Sequence, residues 1–256
     1  MKKGIILSGG TGSRLLPLTS ITNKQLLPIN RKLIIDYSIN TLIQLGCKEI
    51  TVILGGEHFS QIVAYLQDGS DRNVHFNYIY QNKPSGIAQA INLCEPYFNK
   101  EDEFAVILGD NIFEKPIQLE PSSKTRKYLV GPKAQIVLYN TEEIHRFGCA
   151  SLLNGKIVHI EEKPKELYAE CDANLAITGL YIFTNKYFEY FKKVKPSARD
   201  EYEITEILSQ YLADDNLEYT FVNGQWLDAG TFETIDVARQ LAKETKLEDN
   251  FIKGKE

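Results

Sequence analysis

Cysteine is scarce and badly spaced for chemistry. Cys47, Cys94, Cys149 and Cys171 lie far apart, with no CxxC pair and no flanking histidine pattern, which excludes the usual zinc and redox motifs and leaves buried free thiols as the expectation. Histidine is just as sparse: His58, His75, His145 and His159 have no metal-ligand spacing and carry no catalytic role here. No apolar run approaches the roughly eighteen residues of a membrane span. The N-terminal run Ile5-Ile6-Leu7 stops at Ser8-Gly9-Gly10, too early for a signal peptide, so a cytoplasmic protein without a membrane partner is expected. An excess of basic charge is missing as well. A net charge of −5 argues against nucleic-acid binding, which needs a broad basic surface. There is no internal repeat and no low-complexity tract, and the polar stretch Glu120 to Lys127 reads as an exposed loop or edge.

What is present is an ordinary globular balance over 256 residues, 43% hydrophobic and 25% charged, enough for one large domain or two intimately packed ones. Gly4 to Leu7 reads as a buried strand feeding a loop. Ile34, Ile35, Ile39, Leu42 and Ile43 recur at helical spacing and stop at Gly46. The alternation continues with a strand at Ile50–Leu54, a helix from Phe59 to Leu66, a strand at Val74–Tyr80, a helix at Ile87–Leu93 and a strand at Phe104–Leu108. This pattern predicts an α/β fold with a doubly wound, mostly parallel sheet, whose ligands gather at the carboxyl ends of the strands. The loops after Leu7 and Leu108 sit at such ends. The later chain is mixed α+β. It has strands at Gln135–Tyr139, Leu175–Phe183 and Glu218–Val222, a hairpin turning at Asn154-Gly155, a helix from Glu203 to Leu212 and a final helix opened by Thr231. The 14 tyrosines and 12 phenylalanines are expected mostly to fill strands.

The loop Gly9-Gly10-Thr11-Gly12-Ser13-Arg14 places three glycines and two hydroxyls directly after a strand. Glycines let backbone N–H groups approach a phosphate, and Arg14 and Lys24 supply charge. The pattern is neither a Walker A loop nor GxGxxG, and a tight strand-to-helix turn is the plain alternative. Asp110, in Gly109-Asp110-Asn111, suits Mg2+, a hard cation that bridges to substrate phosphates; the alternative is a turn-forming Asp-Asn pair. Asp228 is a second candidate ligand, with Thr231 the rival cap for the last helix. In Glu161-Glu162-Lys163-Pro164 a lysine would bind a sugar phosphate and a glutamate would accept sugar hydroxyls, against the default of a solvated edge.

In this order the segments resemble the sugar-1-phosphate nucleotidyltransferase family, and within it the glucose-1-phosphate thymidylyltransferases. The resemblance runs from Gly4-Ile-Ile-Leu-Ser-Gly-Gly-Thr-Gly-Ser-Arg and Asn23-Lys-Gln-Leu-Leu-Pro through Gln81, Pro84-Ser-Gly, Leu108-Gly-Asp-Asn, Phe147-Gly and Glu161-Glu-Lys-Pro. It ends at Thr178-Gly-Leu-Tyr, Pro196-Ser-Ala-Arg-Asp-Glu-Tyr-Glu-Ile-Thr and Trp226-Leu-Asp-Ala-Gly-Thr. It implies a single Rossmann-like domain, 1–256, of the nucleotide-diphospho-sugar transferase type, with a nucleotide-binding half at 1–112, a sugar-binding half at 113–230 and a C-terminal helix and tail at 231–256. It also implies a role for each matching residue. Gly9, Gly10, Thr11, Gly12 and Ser13 with Arg14 would hold the triphosphate, and Lys24 would bridge the reacting phosphates. Gln81 and the backbone at Gly86 would read the base, and Gln25, beside Lys24, is a candidate nucleotide-binding residue where a contact distinguishing dTTP from UTP could lie. Asp110 and Asp228 would bind Mg2+. Lys163, supported by Arg199, would grip the sugar phosphate, while Gly148, Glu162 and Tyr181 would line the sugar. The expected substrates are dTTP or UTP and a sugar 1-phosphate, and the expected assembly is a homo-oligomer. Phe147 replaces the family's frequent tyrosine there. The chain stops soon after the final helix, where longer members continue into a regulatory nucleotide site. A uridylyltransferase and a non-catalytic nucleotide-sugar sensor stay open as rival readings.

Overall fold

A computed structural model describes residues 3–119 and 133–251, so the expected polar loop Glu120–Lys127 lies outside the described residues. In chain order the strands are β1 (Lys3–Ser8), β2 (Pro28–Ile29), β3 (Lys32–Leu33), β4 (Glu49–Leu54), β5 (His75–Tyr80), β6 (Glu103–Leu108), β7 (Asn111–Phe113), β8 (Ala134–Tyr139), β9 (Gly148–Leu153), β10 (Lys156–Glu162), β11 (Ala173–Thr184), β12 (Leu217–Phe221) and β13 (Trp226–Asp228). The helices are α1 (Ile34–Gln44), α2 (Phe59–Leu66), α3 (Ile87–Asn92), α4 (Lys186–Phe191), α5 (Ile204–Ala213) and α6 (Phe232–Glu244). Every strand and helix expected from periodicity is present, within two residues at each end except for the first hairpin strand, expected from Ser151, which as β9 begins three residues earlier at Gly148. The elements that periodicity missed are the two- and three-residue strands β2, β3, β7 and β13, and the single-turn-scale helix α4. Among the described residues no helix is long and apolar enough to cross a membrane.

Two compact units interleave along the chain. Unit 1 comprises 1–84, 104–117 and 223–256; unit 2 comprises 85–103 and 118–222. They differ from the halves expected at 1–112 and 113–230 because α3 clusters with α4 and α5, while β13 pairs with β7.

Unit 1 holds the parallel strands in the order β6-β1-β4-β5. β1 pairs with β4 on one side and β6 on the other, so strand order reverses at β1 and its carboxyl end is the topological switch point. β1, β4 and β6 are mostly buried, largely apolar strands, as coverage on both faces requires, while β5 at the end of this order is mostly exposed or half-buried. One apolar cluster gathers Leu15, Leu27, Ile112 and Ala229 with Ile34, Tyr37, Ile235 and Ala238. Those first four residues lie one to three positions after Arg14, Lys24, Asp110 and Asp228, so a single core anchors all four charged candidates.

Unit 2 holds a mixed sheet in the order β10-β9-β11-β8-β12, antiparallel except for β8 with β12. Asn154 at φ 51° and Gly155 at φ 69° make the expected type I′ hairpin turn. Its largest buried rings are Tyr187, Phe188 and Tyr190 on α4, Tyr211 on α5 and Phe183 on β11. Helices α4 and α5 therefore carry much of the aromatic core, which corrects the expectation that these rings would sit mostly on strands. Cys47, Cys94 and Cys149 are buried free thiols as expected, but Cys171 is only half-buried, its thiol donating to the Tyr168 carbonyl at 3.0 Å.

Candidate active site

In unit 1 the loop after β1 wraps over a lysine. Gly12 has φ 67°, and a Cβ there would lie 2.8 Å from Thr19 Cγ2 and 3.1 Å from Lys24 Cβ, so only glycine turns this close to the lysine stem. The Thr19 hydroxyl ties the turn by donating to the Gly12 carbonyl at 2.8 Å. A Cβ on Gly10 would touch Lys24 Cε and Nζ at 3.5 and 3.6 Å. Lys24 begins a 3₁₀ turn capped by Asn23, whose side-chain oxygen accepts from Gln25 N at 3.0 Å. Gly9 makes room for Gln81: a Cβ on Gly9 would fall 2.9 Å from Gln81 Oε1. Gly10, Thr11, Ser13 and Arg14 are exposed, leaving the outer face of the loop open to a ligand.

Two acids meet beneath this loop. β7 and β13 pair antiparallel with Asp228 opposite Asn111, and Ala229 N donates to the Asp110 carbonyl at 2.9 Å. Trp226 Nε1 donates to Asn111 Oδ1 at 2.6 Å, and the Ser38 hydroxyl spans the Leu108 and Asn111 carbonyls at 3.0 and 3.2 Å, which fixes the backbone around Asp110. The Lys24 ammonium donates to Asp110 Oδ2 in a short, largely buried ion pair. At Gly230 an added Cβ would lie 2.9 Å from both Asp228 Oδ1 and Arg14 Nη2, so the missing side chain keeps that acid and that base close together. The cluster thus holds two cations and two anions. Two carboxylates are hard oxygen donors of the kind Mg2+ takes alongside substrate phosphates. Among the described residues no group of three or more His, Cys, Asp or Glu is arranged to hold a metal ion; the pair Asp110 and Asp228 offers two carboxylates to an ion that substrate phosphates would also ligate.

Burial alone would lower the Lys24 pKa, but Asp110 and then Asp228 outweigh it and hold the ammonium above its usual range, with Arg14 opposing. Burial would likewise raise Asp110; the charge and hydrogen bond of Lys24 instead hold it below its ordinary 3.8. An acid held low in the fold contributes stability that is present above about pH 3.8 and is lost as the pH falls through the lowered value. Lys24→Met removes the cation and leaves burial unopposed, so its acid unfolding, followed by far-UV circular dichroism, is expected at higher pH than in the parent. Coincident curves would show that the pair contributes nothing to acid stability.

Unit 2 gathers the second set. The hairpin register puts Gly148 opposite Glu162, and Lys163 N extends the ladder by donating to the Phe147 carbonyl at 3.0 Å. A Cβ on Gly148 would lie 3.5 Å from Glu162 Oε2 and 2.9 Å from Thr205 Cγ2. Lys163 has φ 48°, a left-handed conformation unusual for a residue with a side chain, in the place just before Pro164. Its side chain is 45% exposed, and its ammonium lies 3.7 Å from Glu162 Oε1. Arg199 Nη2 reaches the same oxygen at 3.3 Å, and the Thr205 hydroxyl donates to Glu162 Oε2 at 3.2 Å. Burial and the Glu203 carboxylate push Glu162 up, against Lys163 and Arg199.

Three further expected residues are enclosed or closely packed. Tyr181 is 3% exposed with its ring stacked on Phe183, and burial, then the Glu162 carboxylate, push its phenol up. Gly86, at φ 96°, has its Cα against the backbone of Tyr202, where a Cβ would come within 2.5 Å of the carbonyl oxygen. That close approach accounts for the glycine without a base. Gln25 is 1% exposed; its Oε1 and the Ser8 hydroxyl, both buried near Gly109, make no hydrogen bond among the described residues. Sequence reasoning missed Ser197, Glu203 and Thr205, which surround Arg199 and Glu162. All three lie in the Pro196–Thr205 segment, but only tertiary contacts single them out.

Residues 3–244 match the family model described as nucleotidyl transferase. The chain is 38% identical over 247 residues to a low-salt glycan biosynthesis nucleotidyltransferase of Haloferax volcanii, covering 95% of this chain and 67% of that one. It is 36% identical over 239 residues to a glucose-1-phosphate thymidylyltransferase of Neisseria meningitidis, covering 92% and 81%. A solved Bacillus anthracis chain, provisionally assigned as a glucose-1-phosphate thymidylyltransferase and bound to sucrose, superposes with a TM-score of 0.84 at 42% identity, covering 95% and 96%.

Proposed function

Because the chain belongs to the nucleotidyl transferase family and is a sugar-1-phosphate nucleotidyltransferase, we propose that it converts dTTP and glucose 1-phosphate to dTDP-glucose and pyrophosphate with Mg2+. The observation that carries this reading is the cluster at the switch point of unit 1, where a glycine loop, Arg14 and Lys24 stand beside Asp110 and Asp228. Cations over open backbone N–H groups bind a polyphosphate, and paired acids accept the metal that travels with it. The thymidylyl choice follows the relatives' named activity.

The nucleophile is a phosphate oxygen of the sugar phosphate, already ionised at neutral pH, so no general base is needed. That oxygen attacks the α-phosphorus of the nucleotide, a new P–O bond forms, and the bond to the β-phosphate breaks to release pyrophosphate. Arg14 and the loop amides hold the triphosphate, Lys24 neutralises charge that builds on the reacting phosphates, and Lys163 with Arg199 holds the acceptor phosphate. Mg2+ on Asp110 and Asp228 would supply further charge neutralisation at the phosphate oxygens. The left-handed backbone at Lys163 fits this role, since such strain is retained where it aims a functional side chain. Gly148 leaves Glu162 accessible for sugar hydroxyls.

Pyrophosphate release measured for dTTP, UTP, CTP and GTP, each with several sugar 1-phosphates, tests the proposal. The highest kcat/KM is expected for dTTP with glucose 1-phosphate. A preference for UTP would replace it with the uridylyltransferase reading, and no turnover with any pair would leave the sensor.

A further inference from the structure

Arg199 is held by a carboxylate that no role in the reaction accounts for. Glu203, at the N-cap of α5, has a side chain only 9% exposed, yet it receives three hydrogen bonds from Arg199. Nε donates to Oε1 at 3.1 Å, and Nη2 donates to Oε1 and Oε2 at 2.8 and 2.9 Å. The Ser197 hydroxyl donates to the same Oε1 at 2.7 Å and accepts from Arg199 N at 3.2 Å, closing a ring of contacts among Ser197, Arg199 and Glu203. Nη2 also faces Glu162 at 3.3 Å and Glu201 at 3.4 Å. Nε and Nη2 are therefore consumed by carboxylates, while Nη1 makes no hydrogen bond among the described residues.

Planar guanidinium groups bind oxyanions through a fork of adjacent N–H groups, so fixing one edge of the plane decides where the other edge points. A surface pair would not do this, because two long mobile side chains contribute little. Here the acceptor is buried and doubly anchored, which makes the arrangement a preformed clamp. We propose that Glu203 is a positioning residue that orients Arg199 so that its Nη1 edge is presented to the phosphate of the acceptor sugar. This rests on the sugar-phosphate reading of Arg199 given above. Glu203 touches no substrate itself, and its effect is expected only on the acceptor.

The test is steady-state kinetics of Glu203→Gln, which keeps the shape and removes the charge. KM for glucose 1-phosphate is expected to rise about tenfold, the size of a lost charge-assisted hydrogen bond, with KM for dTTP unchanged. In Arg199→Ala the acceptor KM should rise similarly, and adding Glu203→Gln to that variant should change it no further, since the two act as one unit. A purely structural glutamate would instead shift both KM values or add to Arg199→Ala, and either result overturns the proposal, as does an unchanged acceptor KM. If Glu203→Gln does not fold, Glu203→Asp, shorter by one methylene, should raise the same KM in the same direction; no rise overturns it too. Parent enzyme that turns over no sugar 1-phosphate would sink the functional reading instead, so the two failures are distinguishable.

Discussion

Asp110→Asn is expected to lower kcat by roughly a hundred- to a thousandfold, the cost of losing one well-placed electrostatic group in a transition state, with a much smaller change in KM for dTTP. Asp110 is 7% exposed, its carboxylate accepts from Lys24 and its own carbonyl accepts from Ala229 N, so the substitution changes its charge while leaving the shape of the site in place. Two effects follow from the same change. The metal loses a hard anionic ligand, and Lys24 keeps only Asp228 as a counter-charge. Breaking one half of a buried pair costs about 3–5 kcal/mol because it strands the other charge, so the melting temperature should fall as well. Lys24→Met/Asp110→Asn removes both charges and should recover much of that stability without recovering activity. Pyrophosphate release at saturating Mg2+ and thermal unfolding of the three variants read both quantities. Parent-like turnover in Asp110→Asn would eliminate Asp110 as a ligand.

Lys163→Ala is expected to raise KM for glucose 1-phosphate by roughly ten- to a hundredfold, the worth of a charge-assisted contact to an ionised phosphate, and to leave KM for dTTP near the parent value. The side chain is 45% exposed and its ammonium, 3.7 Å from Glu162, is too far for a tight hydrogen bond, so it is available to a ligand rather than spent on a structural pair. Backbone geometry supplies an internal control. Lys163 sits at φ 48°, where glycine is unstrained and alanine is not. Lys163→Gly should therefore show the same rise in acceptor KM as Lys163→Ala but a higher melting temperature. Equal acceptor KM in parent and both variants would remove Lys163 from the phosphate site.

Much of the fold was legible in order along the chain. Strands β1, β4 and β6 are unbroken apolar runs, α1 and α2 show clean helical spacing ahead of Gly46 and Gly69, and Asn154-Gly155 marks a two-residue hairpin turn. These signals are local: they depend on residues within one or two turns of each other. What was not legible depends on distant partners. β7 and β13 are three residues each, too short to show periodicity, and exist because Asn111–Phe113 meets Trp226–Asp228. Tyr181 is named by its motif, whereas its burial beside Phe183 depends on how β11 packs.

The candidate site divides along the same line. Residue types singled out the glycine loop, Arg14, Lys24, Asp110, Lys163 and Asp228 as candidates, each with a plain structural alternative, and the family resemblance implied their roles. Only tertiary structure decided that Lys24 is paired with Asp110, that Asp228 comes beside it, and that Glu203 clamps Arg199. The physical reason is that chemistry of this kind is written in side-chain identity, whereas charge state, orientation and neutralisation are set by which groups from elsewhere in the chain share the same few ångströms.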